Sequence, residues 1–127
     1  MFGRIFSKRH TPAHRSESQA TAELDSHLAQ GRESEAAGRL GEARDHYAAA
    51  VAIAPTHVAA QLDLGSVLEA LNDAGGALQA YQAALAADPA DPYANYNVGR
   101  LLHLRGDRQG AESRLRAALA ASKISLE

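Results

Sequence analysis

Residues 61–89 read QLDLGSVLEALNDAGGALQAYQAALAADP, with a Leu64-Gly65 pair near the start and Pro89 at the close. A step of 34 residues in either direction from Gly65 lands on Gly31 and Gly99. The same step joins Ala43, Ala77 and Ala111, and again Ala50, Ala84 and Ala118. Tyr47 and Tyr81 fall in one column, Pro55 and Pro89 in another, and Val98 answers Leu64. A tandem period of this length decides the fold before any local signal does. Each unit is one supersecondary element that buries its apolar face only by stacking on its neighbours.

The columns have a physical logic. Paired helices cross where side chains are small, and the glycine and alanine columns supply such places. Gly38, Asn72 and Gly106 stand midway through the three copies, where a turn needs a residue tolerant of positive φ. Pro55 and Pro89 come after the second helical stretch and stop it. Six helices are therefore expected, at 23–37, 41–54, 59–71, 75–88, 93–105 and 109–122. The fold class is all-α, three helix-turn-helix hairpins stacked into one core.

This pattern resembles the tetratricopeptide repeat, whose 34-residue unit has Leu-Gly on its first helix, Ala and an aromatic on its second, and a closing proline. The middle copy shows Leu64-Gly65, Leu68, Ala77, Tyr81, Ala84 and Pro89. The third shows Tyr96 to Gly99 (YNVG), Leu102, Ala111, Leu115 and Ala118, with Lys123 in place of the proline. The first keeps Gly31, Ala43, Tyr47, Ala50 and Pro55 but puts His27, Gln30 and Ser34 where apolar residues usually sit. The resemblance implies a right-handed α-solenoid over residues 23–125, divided as 24–57, 58–91 and 92–125.

Composition narrows the function. In 127 residues, 46% are hydrophobic but only 5% aromatic, so the core is one of closely approaching alanine-rich helices. Cysteine is absent, which removes disulfides and thiolate metal sites from consideration. The N-terminal MFGRIFSKRH is basic but has no apolar core or cleavage site of a secretory signal, and a cytoplasmic location is expected. Arginine far outnumbers lysine and alanine is abundant, a composition that GC-rich bacterial genomes tend to encode. No phosphate loop or nucleophile motif is present, and His10 and His14 lack a carboxylate partner for a metal. The expectation is a chain with no catalytic residue, no cofactor and no metal. From Asp45 to Gly99 there is no Lys or Arg, so a nucleic-acid backbone would meet only acids there.

Protein recognition remains. In the family that this chain resembles, the first helix of each repeat lines a concave groove that takes a peptide or a helix. Carried over position by position, the groove comprises Asp25, Leu28 and Arg32, then Leu62, Asp63, Ser66 and Glu69, then Tyr93, Tyr96, Asn97, Arg100 and His103. Tyr93 and Tyr96 offer rigid contact area, Asn97 an amide pair, and Arg100 a fork for a carboxylate. The basic clamp by which one branch of the family holds chaperone C-termini is not matched: its positions hold Leu28, Arg32, Asp63, Tyr93 and Asn97. The middle copy is purely acidic and the third largely basic, which predicts a ligand of bipolar charge.

The ends differ from the repeats. Residues 1–22 carry Arg4, Lys8, Arg9 and Arg15 against Glu17 and are expected to form a disordered tail. Leu115, Leu119 and Ile124 are expected to form an open apolar stripe on the last helix, where solenoids usually carry a polar cap. Either more protein covers that stripe or two copies of the chain cover each other in a homodimer. Leu126-Glu127 fits a cloning remnant. Two functions follow as expectations: a protein-interaction module with a peptide groove, or an N-terminal docking or oligomerisation domain of a larger bacterial enzyme such as a glycosyltransferase.

Overall fold

The computed structural model describes the backbone of residues 15–126 and the side chains of residues 15–122. Six helices follow in order: α1 (Glu17–Ala36), α2 (Leu40–Ile53), α3 (Val58–Ala70), α4 (Ala74–Ala87), α5 (Pro92–Leu104) and α6 (Arg108–Leu126). Helices α1 and α2, α3 and α4, and α5 and α6 pair as hairpins, which stack through α2 on α3 and α4 on α5. No strand occurs among the described residues. No described helix is long and apolar enough to cross a membrane.

The turn inside each hairpin is built three times in one way. Gly38, Asn72 and Gly106 have φ of +80°, +64° and +90°. The amide just beyond each bonds back five residues: Arg39 to the carbonyl of Ser34, Asp73 to that of Leu68, Asp107 to that of Leu102. This left-handed stop satisfies carbonyls that the preceding helix leaves open. Asp73 and Asp107 then turn their carboxylates to the next helix, accepting from the amides of Gly76 and Gly110, each at 2.9 Å. Asp91 does the same for α5, accepting from Ala94 at 2.8 Å, with Pro92 in the first turn.

Two boundaries differ from the sequence expectation. Helix α1 starts at Glu17 and not at 23, so residues 17–22 are helix and not tail. Ser16 and Gln19 make a reciprocal capping box, with both amide-to-side-chain bonds at 3.1 Å, and this local start signal outweighs the Ser- and Thr-rich composition. Helix α6 runs on to Leu126, beyond the expected 122, because Lys123 stands where Pro55 and Pro89 end the earlier copies. Residues 1–14 of the predicted tail, with His10 and His14, lie outside the described residues, as does Glu127.

Of the three polar residues that mark the first copy, Gln30 is explained by its position in the stack. Columns one period apart read Ser26, Ala60, Ala94; Gln30, Leu64, Val98; and Glu33, Val67, Leu101. In α1 these residues are polar and exposed, whereas Ala60, Val67, Ala94, Val98 and Leu101 are buried and Leu64 packs against the core. No hairpin precedes α1 among the described residues, so this face meets water. Ser34 is buried, and His27 approaches His46 with their Nδ1 atoms 3.3 Å apart. Two buried amides fasten one hairpin to the next: Gln61 donates to the carbonyl of Pro55 and Asn95 to that of Pro89, both at 2.9 Å.

Candidate functional site

The residues predicted to line a groove lie on the first helix of each hairpin: Arg32 on α1; Asp63, Ser66 and Glu69 on α3; Tyr93, Tyr96, Asn97, Arg100 and His103 on α5. The structure engages most of their charges internally. Arg32 donates to Asp63 at 2.8 Å through Nη2. Arg100 grips Glu69 with both terminal nitrogens, Nη1 to Oε2 at 2.9 Å and Nη2 to Oε1. Each pair spans 31 residues and ties neighbouring first helices together. Two of the five acids of the middle hairpin are thus paired, one from each side.

Glu69 also accepts from the Tyr81 hydroxyl at 2.8 Å. The bonds from Arg100 are the largest influence on Glu69; with the bond from Tyr81, they outweigh burial and hold its carboxyl below the usual carboxylate range. Burial, followed by the bond to Glu69, pushes the Tyr81 hydroxyl well above its ordinary value. The first hairpin repeats the link, with Tyr47 donating to Glu35 at 2.7 Å. Asn97 spends both ends of its amide nearby: Nδ2 donates to the Tyr93 carbonyl at 3.0 Å and Oδ1 accepts from Arg100 at 3.1 Å.

Leu28, carried over as a groove residue, is only 5% exposed and belongs to the core, since it packs with Tyr47 beneath α1. Leu62 is half-buried against the second core cluster. Ser66, Tyr93, Tyr96 and His103 remain exposed.

The third hairpin breaks the tyrosine–glutamate link. One period on from Glu69 and Tyr81 stand His103 and Leu115. The large exposed apolar side chains gather here: Tyr93 at 69%, Tyr96 at 52%, Leu115 at 36%, Leu119 at 57% and Leu104 at 71%. Pro92, Tyr93 and Tyr96 of α5 face Leu115, Ala118 and Leu119 of α6 across an open apolar hollow of about 760 Å³. The predicted groove residues Tyr93 and Tyr96 and the predicted stripe of Leu115 and Leu119 are therefore one continuous surface. In the sequence they stand apart, the tyrosines on the inner face of the first helices and the leucines at the end of the stack. The side chain of Ile124 lies outside the described ones.

A family model described as tetratricopeptide repeat matches residues 24–92 and, overlapping it, residues 62–123. The chain belongs to the tetratricopeptide repeat family. Among solved structures, this tetratricopeptide chain is similar to MamA, with a TM-score of 0.75 and 19% identity over 81% of this chain and 60% of that one. It is similar to PcrH in complex with the chaperone binding region of PopD, with a TM-score of 0.74 and 24% identity over 82% and 78% of the two chains. It is also similar to an O-GlcNAc transferase of Thermobaculum terrenum, with a TM-score of 0.71 and 23% identity over 81% of this chain and 20% of that one. At these identities the likeness is one of fold, and the chain spans 60% of MamA and 20% of the transferase, in both cases less than two thirds. No curated protein sequence matches it.

Proposed function

We propose that this tetratricopeptide chain is a non-catalytic protein-interaction module that takes a peptide or partner protein on the groove of its first helices. The observation that carries this reading is the exposure of Tyr93 and Tyr96, at 69% and 52%, on a helix whose charged neighbours are already paired. Two rigid aromatic side chains held in water are costly to leave uncovered and characteristic of binding surfaces. Arg32, Asp63, Glu69, Asn97 and Arg100 set the floor of the groove, while Ser66, Tyr93, Tyr96 and His103 meet the ligand. Because Asp63 and Glu69 are held by arginines, the bipolar ligand reduces to one with an acidic preference at the third-hairpin end. The likeness to PcrH, whose structure holds a region of PopD, supports the class of function.

The test is selection of peptides on the intact chain from a displayed random library. Selected peptides should lose about tenfold or more in affinity on Tyr96→Ala, the loss typical of an interface anchor, with no change in thermal stability. Failure to enrich any peptide would defeat the reading. A second reading, a docking domain of a larger transferase, draws support from the likeness to the Thermobaculum terrenum enzyme.

A further inference from the structure

The stack shows twice what belongs on the outer face of a hairpin. Helix α3 covers the first with Ala60, Leu64 and Val67, and α5 covers the second with Ala94, Val98 and Leu101, apolar residues at i, i+4 and i+7. The corresponding face of the third hairpin is the hollow between α5 and α6. Leu119 stands in the column of Val51 and Leu85, both of which pack against core clusters, yet it is 57% exposed. Leu115 and Leu119 also border a second hollow of about 350 Å³, edged by His103, Arg108, Glu112 and Arg116, of which Arg116 is paired with Glu112 at 2.6 Å. The seam thus runs from an aromatic end to one where Arg108 carries the net positive charge.

We infer that this seam binds an amphipathic helix of a partner protein, with apolar residues at i, i+4 and i+7 and carboxylates toward its C-terminal end. The inference rests on the interaction-module reading and names its ligand chemistry. The equal 31-residue offsets of Arg32–Asp63 and Glu69–Arg100 show neighbouring first helices running the same way. A helix laid beside α5 in that direction brings its C-terminal half to His103 and Arg108, Arg116 being held by Glu112. Helix dipole and carboxylates both suit that end. Among the described residues neither Arg105 nor Arg108 takes part in an ion pair.

Charge and polarity disfavour the other occupants. A second copy stacked head to tail would bring Ser26, Gln30 and Glu33, a polar face. Two third hairpins meeting would oppose surfaces that each carry a net excess of arginine, Arg105, Arg108, Arg114 and Arg116 against Asp107 and Glu112. The N-terminal segment of this chain carries Arg4, Lys8, Arg9 and Arg15 with no acid before Glu17.

The experiment is fluorescence anisotropy of the intact chain with two labelled helix-forming peptides, both with leucines at i, i+4 and i+7. One carries glutamates in its C-terminal half and the other lysines. The glutamate peptide should bind about tenfold or more tightly than the lysine one, and Leu119→Glu should weaken it about as much. Leu119 is exposed enough that the variant keeps its melting temperature. Equal binding of the two peptides, or binding indifferent to Leu119→Glu, overturns the inference. Binding of neither also overturns it, while library-selected peptides that still bind would leave the module reading intact. Light scattering that finds a dimer split by Leu119→Glu would assign the seam to a second copy and overturn the inference too.

Discussion

Arg100 on α5 closes on Glu69 of α3 with two parallel hydrogen bonds, while Glu69 accepts a third from Tyr81 of α4. One carboxylate therefore joins three helices and two hairpins. The Glu69 carboxyl is held below its unfolded value chiefly by Arg100. Its contribution to stability is therefore complete above the ordinary glutamate range, near pH 4.3, and is lost as pH falls through the lower folded value. Glu69→Gln is expected to cost about 1 kcal/mol at neutral pH, since both side chains are partly solvated and the pair is screened. Urea unfolding of the two proteins at pH 7 and pH 3 checks this: the gap should shrink at the lower pH, and a constant gap would refute the linkage.

Gly65 and Gly99 occupy the same column but face different neighbours. A Cβ on Gly65 would lie 2.5 Å from Cε1 of Tyr81, a ring only 2% exposed and fixed by its bond to Glu69. Gly65→Ala should lower stability by about 1–2 kcal/mol, overpacking exceeding the gain in helix propensity. At Gly99 a Cβ would meet Cγ of Leu115, at 2.8 Å on a side chain 36% exposed, and Cβ of Arg114, at 3.1 Å and fixed to the α6 backbone. Gly99→Ala should therefore cost less than Gly65→Ala, about 0.5–1 kcal/mol, because Leu115 can yield toward solvent where Tyr81 cannot. Thermal melts of the two variants that shift equally would contradict this account.

Asn72 holds φ of +64° at the turn of the middle hairpin, where Gly38 and Gly106 serve in the other two. Alanine there meets the left-handed penalty of roughly 1–2 kcal/mol, whereas glycine does not. Asn72→Ala should melt lower than Asn72→Gly. The reverse order in calorimetry would mean that the Asn72 side chain, and not the backbone, decides the turn.

Asn95 is fully buried, with Nδ2 donating to the carbonyls of Pro89 and Asp91 at 2.9 and 3.0 Å. Asn95→Leu leaves the Pro89 carbonyl without this donor and should cost about 1–3 kcal/mol despite the greater hydrophobicity of leucine. Asn95→Gln, the chemistry that Gln61 uses against Pro55, should recover part of that loss. Chemical unfolding that finds Leu as stable as Asn would show the clasp to be dispensable.

Much of this protein is legible in its sequence, because a repeat states each local rule three times. The 34-residue step from Gly31 through Gly65 to Gly99, the turn residues Gly38, Asn72 and Gly106, and the helix-stopping Pro55 and Pro89 are read by short-range sterics alone, and they determine six helices and three hairpins. The start at Glu17 was equally local, written in Ser16 and Gln19, but masked by the composition around it. What only the tertiary structure decided is which side chains remain available. Arg32, Asp63, Glu69 and Arg100 look like free groove charges in the sequence, yet stacking brings residues 31 apart within hydrogen-bond reach. Leu28 turned inward, and Tyr93 and Tyr96 met Leu115 and Leu119 on one surface. Periodicity specifies the face of a helix on which a residue stands, whereas pairing and exposure depend on what the neighbouring hairpin brings to that face and on whether a neighbour is there at all.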